Sequence, residues 1–464
     1  MTQIQPPARA SMPRRVSRLR VAGAVAALSA VAACNTDKLL KVTDVDVVSP
    51  SVLVGRSVLP SALAAAIGDF GVAYAGSGGS EGQAQIAGLF TDELINAESF
   101  PTRIEVDQRD VNPVNGTMLT IFRDIARARA TADGVSARFQ EFDNKNPSYA
   151  EVQSLGGYSR VILAENYCSG VPISSPNADG SFTYGKPQTT VELLQQSIAK
   201  FDSAISVATA AGAAAGTQLN LARLGKARAL LDLGQYAAAG TVAAAIPSTL
   251  RYVIFHSENS GRQNNGIFSF AQVGRRFAVP NSEGVNGLPF ASAADPRVPT
   301  YRASIGFDGV TPLIVTTKYS SRSAPTPLAE GAEARLIEAE AALQAGNSAL
   351  YLQKLNEARA AATTYPLAVG GVAQAPLAPI AAAPATRDAQ VDLLFQERAF
   401  TLFLTSHRLS DLRRLVRQYG RSEATVFPTG AYFKGGVYGK DVNIPVPFEE
   451  QNNPEFKGCL DRKA

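Results

Sequence analysis

LARLGKARALLDLGQYAAAGTVAAAIP, from Leu221 to Pro247, decides the fold. Leu224, Ala227 and Leu231 recur at three- and four-residue spacing and share one helical face, whereas Arg223, Lys226 and Asp232 point elsewhere. Gly234 breaks that helix, and Tyr236 opens a second one that stops before Pro247. The plan returns in EARLIEAEAALQAGNSALYLQKLNEARA, Glu333 to Ala360. There Leu336, Ala339 and Leu343 share a face, Gly346 marks the turn, and Tyr351, Leu355 and Ala358 follow. Alanine at the crossings lets antiparallel helices approach closely.

These hairpins are of the tetratricopeptide kind, but fewer than three clear copies at irregular spacing do not make a regular solenoid. Helical periodicity also runs through Ser61–Val72, Gly116–Phe139, Tyr149–Asn166, Thr190–Ala211, Leu219–Ile246, Ala332–Ala362 and Asp388–Tyr419. The expected fold class is therefore mainly α, an α-α superhelix of helix pairs. Residues 251–327 interrupt it with Gly, Pro, Asn, Ser and scattered aromatics, apart from β-like runs such as LIVTTKY, and read as a large irregular insertion of the kind that is either functional or poorly ordered. Residues 365–386 read as a Pro/Ala-rich surface loop without chemistry.

At the amino terminus, Val31-Ala32-Ala33-Cys34 follows the apolar stretch Val21–Ala30, with Arg9, Arg14, Arg15, Arg18 and Arg20 upstream and no acid. This is a lipobox: residues 1–33 are expected to be a signal peptide, starting at Met1 or Met12, and Cys34 the lipid attachment point. Residues 34–50 then form a polar tether, and residues 51–464 a single domain. Acyl chains, at about 0.8 kcal/mol per buried CH2, hold such a domain on a membrane. Five of the 44 Lys and Arg residues lie in the leader, which leaves 39 against 40 acids. The near-neutral remainder gives no nucleic-acid footprint. With Cys34 acylated, Cys168 and Cys459 are expected to pair outside the cytoplasm, restricting the unfolded chain by roughly 4–5 kcal/mol.

QERAFTLFLTSHRLSDLRRL (Gln396–Leu415) followed by VNIPVPFEEQNNPEF (Val442–Phe456) resembles the end of the SusD/RagB family of outer-membrane nutrient-uptake lipoproteins. GYSRVILAENYCSGVPIS, ADPRVP with a later KY, and EARLIEAEAAL agree with that family in order, so the resemblance covers nearly the whole mature chain. It implies a SusD-like helical scaffold that captures glycans or other oligomeric nutrients and forms a lid on a SusC-like TonB-dependent transporter. It also implies anchoring at the outer membrane, facing outward, with no cofactor. Two departures stand out. Thr405-Ser406-His407-Arg408 replaces the usual EG.R, and tryptophan, on which sugar-binding members commonly stack sugars, is absent.

A sugar pocket mixes aromatic platforms with placed polar groups. Candidate ligand-binding residues are Phe100 and Arg103 in ESFPTRIEVDQRD, and Phe290 and Tyr301 in GLPFASAADPRVPTYR. The competing reading makes Phe100 and Phe290 core plugs and Arg103 an ion-pair partner. No catalytic residues and no metal site are expected: the chain has two histidines, His256 and His407, no Cys/His cluster and no phosphate loop. Asp92-Glu93 point about 100° apart on a helix, a poor glycosidase pair. Asp44 and Asp46 lack an EF-hand frame. Arg408, Asp411 and Arg414 suit surface or interhelical ion pairing, and Arg413, Arg417 and Arg421 read as a solvated basic face. The rival to nutrient capture is a periplasm-facing tetratricopeptide-type scaffold lipoprotein that binds other proteins.

Overall fold

The computed structural model describes residues 55–177 and 179–464; Cys34, the 34–50 tether, Asp44 and Asp46 lie outside them. Helices of about two turns or more are α1 (Leu59–Ala75), α2 (Gln83–Leu89), α3 (Pro101–Asp107), α4 (Gly116–Phe142), α5 (Pro147–Asn166), α6 (Thr190–Ala211), α7 (Gly216–Asp232), α8 (Tyr236–Ala244), α9 (Gly331–Gln344), α10 (Ser348–Ala361), α11 (Arg387–Thr401) and α12 (Arg408–Tyr419). Their starts follow local chemistry. Asn115 accepts from the amides of Thr117 and Met118, Asn146 precedes a first-turn proline, and Thr189 with Glu192 forms a capping box.

The two hairpins share one turn. Gly234 and Gly346 adopt φ of 71° and 72°. In each, the glycine amide and the next amide reach back to Leu231 and Leu230, or to Leu343 and Ala342. This is the Schellman pattern, which satisfies the last carbonyls of α7 and α9. Helices pack in succession: α1 on α4, then α4, α5, α6, α7 and α8 each on the next. α8 then packs on α9 and α9 on α10, so the stack continues across the interruption. Phe201 of α6 fills the crossing between α5 and α7, where a Cβ on Gly157 or Gly225 would come within 2.7 or 2.3 Å of its ring. A main core runs through these helices, and a second cluster joins Leu336, Tyr351, Leu355, Leu394 and Phe395.

Ten short strands make five antiparallel pairs among the described residues: β1 (Ile95–Asn96), β2 (Val171–Pro172), β3 (Ser175–Pro176), β4 (Phe182–Thr183), β5 (Pro187–Gln188), β6 (Arg251–Ile254), β7 (Phe277–Ala278), β8 (Thr300–Ile305), β9 (Pro312–Thr316) and β10 (Thr326–Glu330). β6 pairs with β10, so the two ends of the 251–327 segment are clamped together, while β8 and β9 form a hairpin inside it and β7 joins β1. Between these strands the segment keeps long stretches without helix or strand. The 365–386 segment runs over the surface with no helix or strand of its own and is tied to its neighbours. Its amides at Tyr365, Val372 and Ala375 donate to Pro296, Thr300 and Ala294 carbonyls, and Ile380 to Asn356.

The periodicity of 388–419 hides a break. Leu404 and Ser406 take φ of 51° and 62°, and tertiary partners supply what the helix ladder loses. The Leu404 amide donates to Glu93 (2.9 Å), Tyr319 Oη to the Leu404 carbonyl (2.8 Å), and Tyr74 Oη to the Thr405 carbonyl (3.1 Å). His407 is buried, with Nε2 3.0 Å from Glu333 Oε1.

The solvated basic face is corrected at one of its three arginines. Arg417 is exposed, but Arg413 is 2% exposed and donates to the carbonyls of Ala164 and Tyr167, the orphaned end of α5. Arg408 forks onto Asp92 at 2.6 and 2.7 Å, and Arg414 pairs with Glu340 and Asp411. Cys168 and Cys459, 291 residues apart, are bonded at 2.03 Å, beside an Ser169–Asp461 bridge.

Two substitutions probe this packing. Gly225→Ala drives a methyl into Phe201 and is expected to destabilise by about 1–3 kcal/mol, lowering the thermal midpoint followed by circular dichroism. Arg408→Ala strands the buried Asp92 carboxylate and is expected to cost about 3–5 kcal/mol, read as a lower urea midpoint at unchanged slope.

Candidate functional site

The β8–β9 hairpin ends in Gly306-Phe307-Asp308-Gly309-Val310-Thr311, and its tip docks on the residues after β1. The Asp308 amide donates to the Ala97 carbonyl (3.0 Å) and the Phe307 amide to that of Arg275 (2.8 Å). Gly306 is needed here, since a Cβ would meet the Ala97 carbonyl oxygen at 2.6 Å. Docking brings Phe307 beside Phe100, with ring centroids 6.4 Å apart. The rings are 47% and 45% exposed, an unusual state for two large apolar side chains in contact.

Charges brace them. The Arg276 guanidinium lies 5.1 Å from the Phe100 centroid and 4.6 Å from that of Phe307. Glu98, fully buried, accepts from Arg276 on one oxygen and from Arg103 (2.9 Å) on the other, and Arg103 also reaches Glu81. Lys434 donates to the Glu98 carbonyl (2.8 Å) and to Asp308 (2.5 Å). Burial opposes ionisation of Asp308, but Lys434, the Thr311 hydroxyl and the amides of Thr311 and Val310 hold its carboxyl well below the usual range.

A cleft of about 840 Å³ opens beside this platform, between residues 280–285, the hairpin tip and the loop 429–438. Val310, Val285 and the 47% exposed ring of Phe433 give it apolar walls. Asp308 and Lys434 lie on its edge, with Glu283 and Tyr438 deeper in. Phenyl faces can stack on the C–H faces of sugar rings, and Lys434 and Asn281, both on the lining, can meet hydroxyls.

Of the four residues singled out as ligand contacts, the structure leaves Phe100 on the platform. Arg103 is turned inward into two ion pairs, a strut rather than a free donor. Phe290 is corrected outright: it is 1% exposed and wedged between Phe400 and Phe403, with centroids at 5.0 and 4.9 Å. Tyr301 lies at the far end of the hairpin from Phe307, half-buried, donating to Gln272 (3.0 Å). Phe307, Phe433, Arg276 and Lys434 went unread. For Phe307 a signal exists, because Asp308-Gly309 between two β-like runs marks a hairpin tip. Asp92 and Glu93 are buried on Arg408 and the Leu404 amide, out of reach of any glycosidic bond. Among the described residues no group of three His, Cys, Asp or Glu is placed to hold a metal ion.

No protein-family model matches the sequence, and no curated protein does. Solved structures do match in fold. A SusD/RagB family protein from Bacteroides thetaiotaomicron is 13% identical at a TM-score of 0.62, over 84% of this chain and 94% of that one. Surface glycan-binding protein A from Bacteroides uniformis is 13% identical at 0.60, over 87% and 99%. A SusD-like carbohydrate binding protein from Bacteroides vulgatus is 15% identical at 0.55, over 77% and 83%. The chain has the SusD fold, as the sequence resemblance implied.

Removing the hub of the brace tests the platform. Glu98→Ala unpairs Arg276 and half of Arg103, and is expected to lower the unfolding free energy by about 3 kcal/mol in denaturant titration.

Proposed function

We propose that this protein captures extracellular oligosaccharides, or other oligomeric nutrients, and passes them to a SusC-like TonB-dependent transporter while held on the outer membrane by acylated Cys34. It acts by binding and release, with no bond made or broken. One observation carries the reading: the solvent-facing pair Phe100 and Phe307, held open by ion-paired arginines at the edge of a cleft large enough for several sugar units. Exposed phenyl rings cost solvation free energy, and a fold that braces them in place keeps them for contact with something else. Fold relatives described as carbohydrate-binding or glycan-binding support the ligand class.

Calorimetry against a panel of soluble glycans tests it. The intact protein is expected to bind at least one, and the double substitution Phe100→Ala, Phe307→Ala to weaken that binding at least about tenfold without changing the thermal midpoint. Purification in mild detergent from the native membrane is expected to bring down a β-barrel partner. A panel with no binder and a preparation with no barrel would overturn the reading.

A further inference from the structure

Behind the cleft, three chain segments meet at two carboxyl groups. Asp107 is the last residue of α3, whose first turn follows Phe100. Its Oδ2 accepts from the Asn96 amide (2.8 Å) and from Tyr432 Oη (2.7 Å). Glu283 sits in a turn between Ser282 and Gly284, both at positive φ (63° and 57°), and its Oε1 accepts from Tyr438 Oη (3.0 Å). Tyr432 and Tyr438 belong to the loop that presents Phe433 and Lys434 to the cleft.

The remaining oxygens, Asp107 Oδ1 and Glu283 Oε2, are buried and have no donor. The tyrosines that hold them, Tyr432 on Asp107 and Tyr438 on Glu283, pack edge to face with ring centroids 5.2 Å apart, which brings the two carboxyl groups to the same buried place. Two ionised carboxylates cannot face one another in such a place, and two orphaned acceptors are an unsatisfied pair. One proton between them removes a charge and supplies the missing donor.

We infer that Asp107 and Glu283 share one proton, and that its loss as pH rises pushes the walls of the cleft apart and releases the ligand. The inference rests on the cleft being the ligand site, and it adds the regulation of that site. Repulsion between the ionised pair acts on the three segments that meet there: α3, capped by Phe100, the 281–287 turn with Val285, and the loop with Phe433. Burial pushes Asp107 up to about 6 against the pull of Tyr432, the Asn96 amide and Lys434. Burial, then the Asp107 charge, lifts Glu283 well above the usual glutamate range. The other charges facing the pair are Lys434 on the loop, Asp92 beyond α2, which adds to the repulsion on Glu283, and Arg109 after α3, which faces Tyr438 and Glu283.

The sign follows. A carboxyl held above its unfolded value gives stability that is whole in acid, where both states keep the proton, and that is lost as pH climbs through the folded value.

Hydrogen exchange of the full chain without ligand reads the wall directly. Corrected for intrinsic exchange and scanned from about pH 6 to about pH 9, protection of amides in 281–287 and 429–441 is expected to fall by up to about tenfold per pH unit on the approach to the folded carboxyl's transition and to level off above it. Glu283→Gln keeps the acceptor for Tyr438 and gives Asp107 a permanent donor, so its protection is expected to stay flat. Protection that ignores pH in the natural protein, or a variant that tracks it, would sink the inference. Infrared difference spectra between the natural protein and Glu283→Gln read the proton itself: a buried protonated-carboxyl stretch present at neutral pH and lost in the variant supports the shared proton, and no such difference refutes it. Neither readout involves a glycan, so a failed binding panel with an intact pH response indicts the ligand assignment alone.

Discussion

Arg408, Arg413 and Arg414 place three buried guanidinium groups on α12, and each reaches a different part of the molecule. Arg413 donates to the carbonyls that end α5, and Arg414 joins α9 through Glu340. Arg408 holds Asp92, whose Oδ2 also accepts the Leu288 amide (2.9 Å). That last link runs from α12 to the chain just before the platform and to the segment just after Glu283. A buried ion pair adds little net stability over an apolar substitute, yet it tolerates few geometries, because every misplacement leaves a charge unpaired. The helix stack therefore dictates where the cleft walls stand.

The helical scaffold was legible because its signals are local. A glycine after an apolar stripe, followed by a second stripe, specifies a hairpin whatever surrounds it, and Gly234 and Gly346 take the conformation that reading demands. Breaks that depend on distant partners were not legible. Nothing between Asp388 and Tyr419 announces that Leu404 and Ser406 leave the helix, since the groups that satisfy them come from Glu93, Tyr74 and Tyr319. Nor does composition tell a buried arginine from a solvated one. Arg413 and Arg417 are a turn apart, and only the position of the α5 terminus separates their fates.

The exposed platform follows the same divide. Phe100 was visible beside charged and polar neighbours in a loop, and Phe290 stood in a similar context, but one ring faces solvent and the other is gripped by Phe400 and Phe403. What distinguishes them is the brace of Glu98 and Arg103, which flank Phe100, and of Arg276 from a distant stretch. Without tryptophan the platform is assembled from smaller rings, and stacking guanidinium groups against them widens the flat surface they offer.

The Cys168–Cys459 bond has a bearing on maturation. Three thiols can choose partners in three ways, and the chain carries three. Conversion of Cys34 to a thioether would withdraw it from that choice and leave a single permitted pairing. Such processing would double as an editor of oxidation, and an unprocessed precursor would be the form most exposed to scrambled crosslinks.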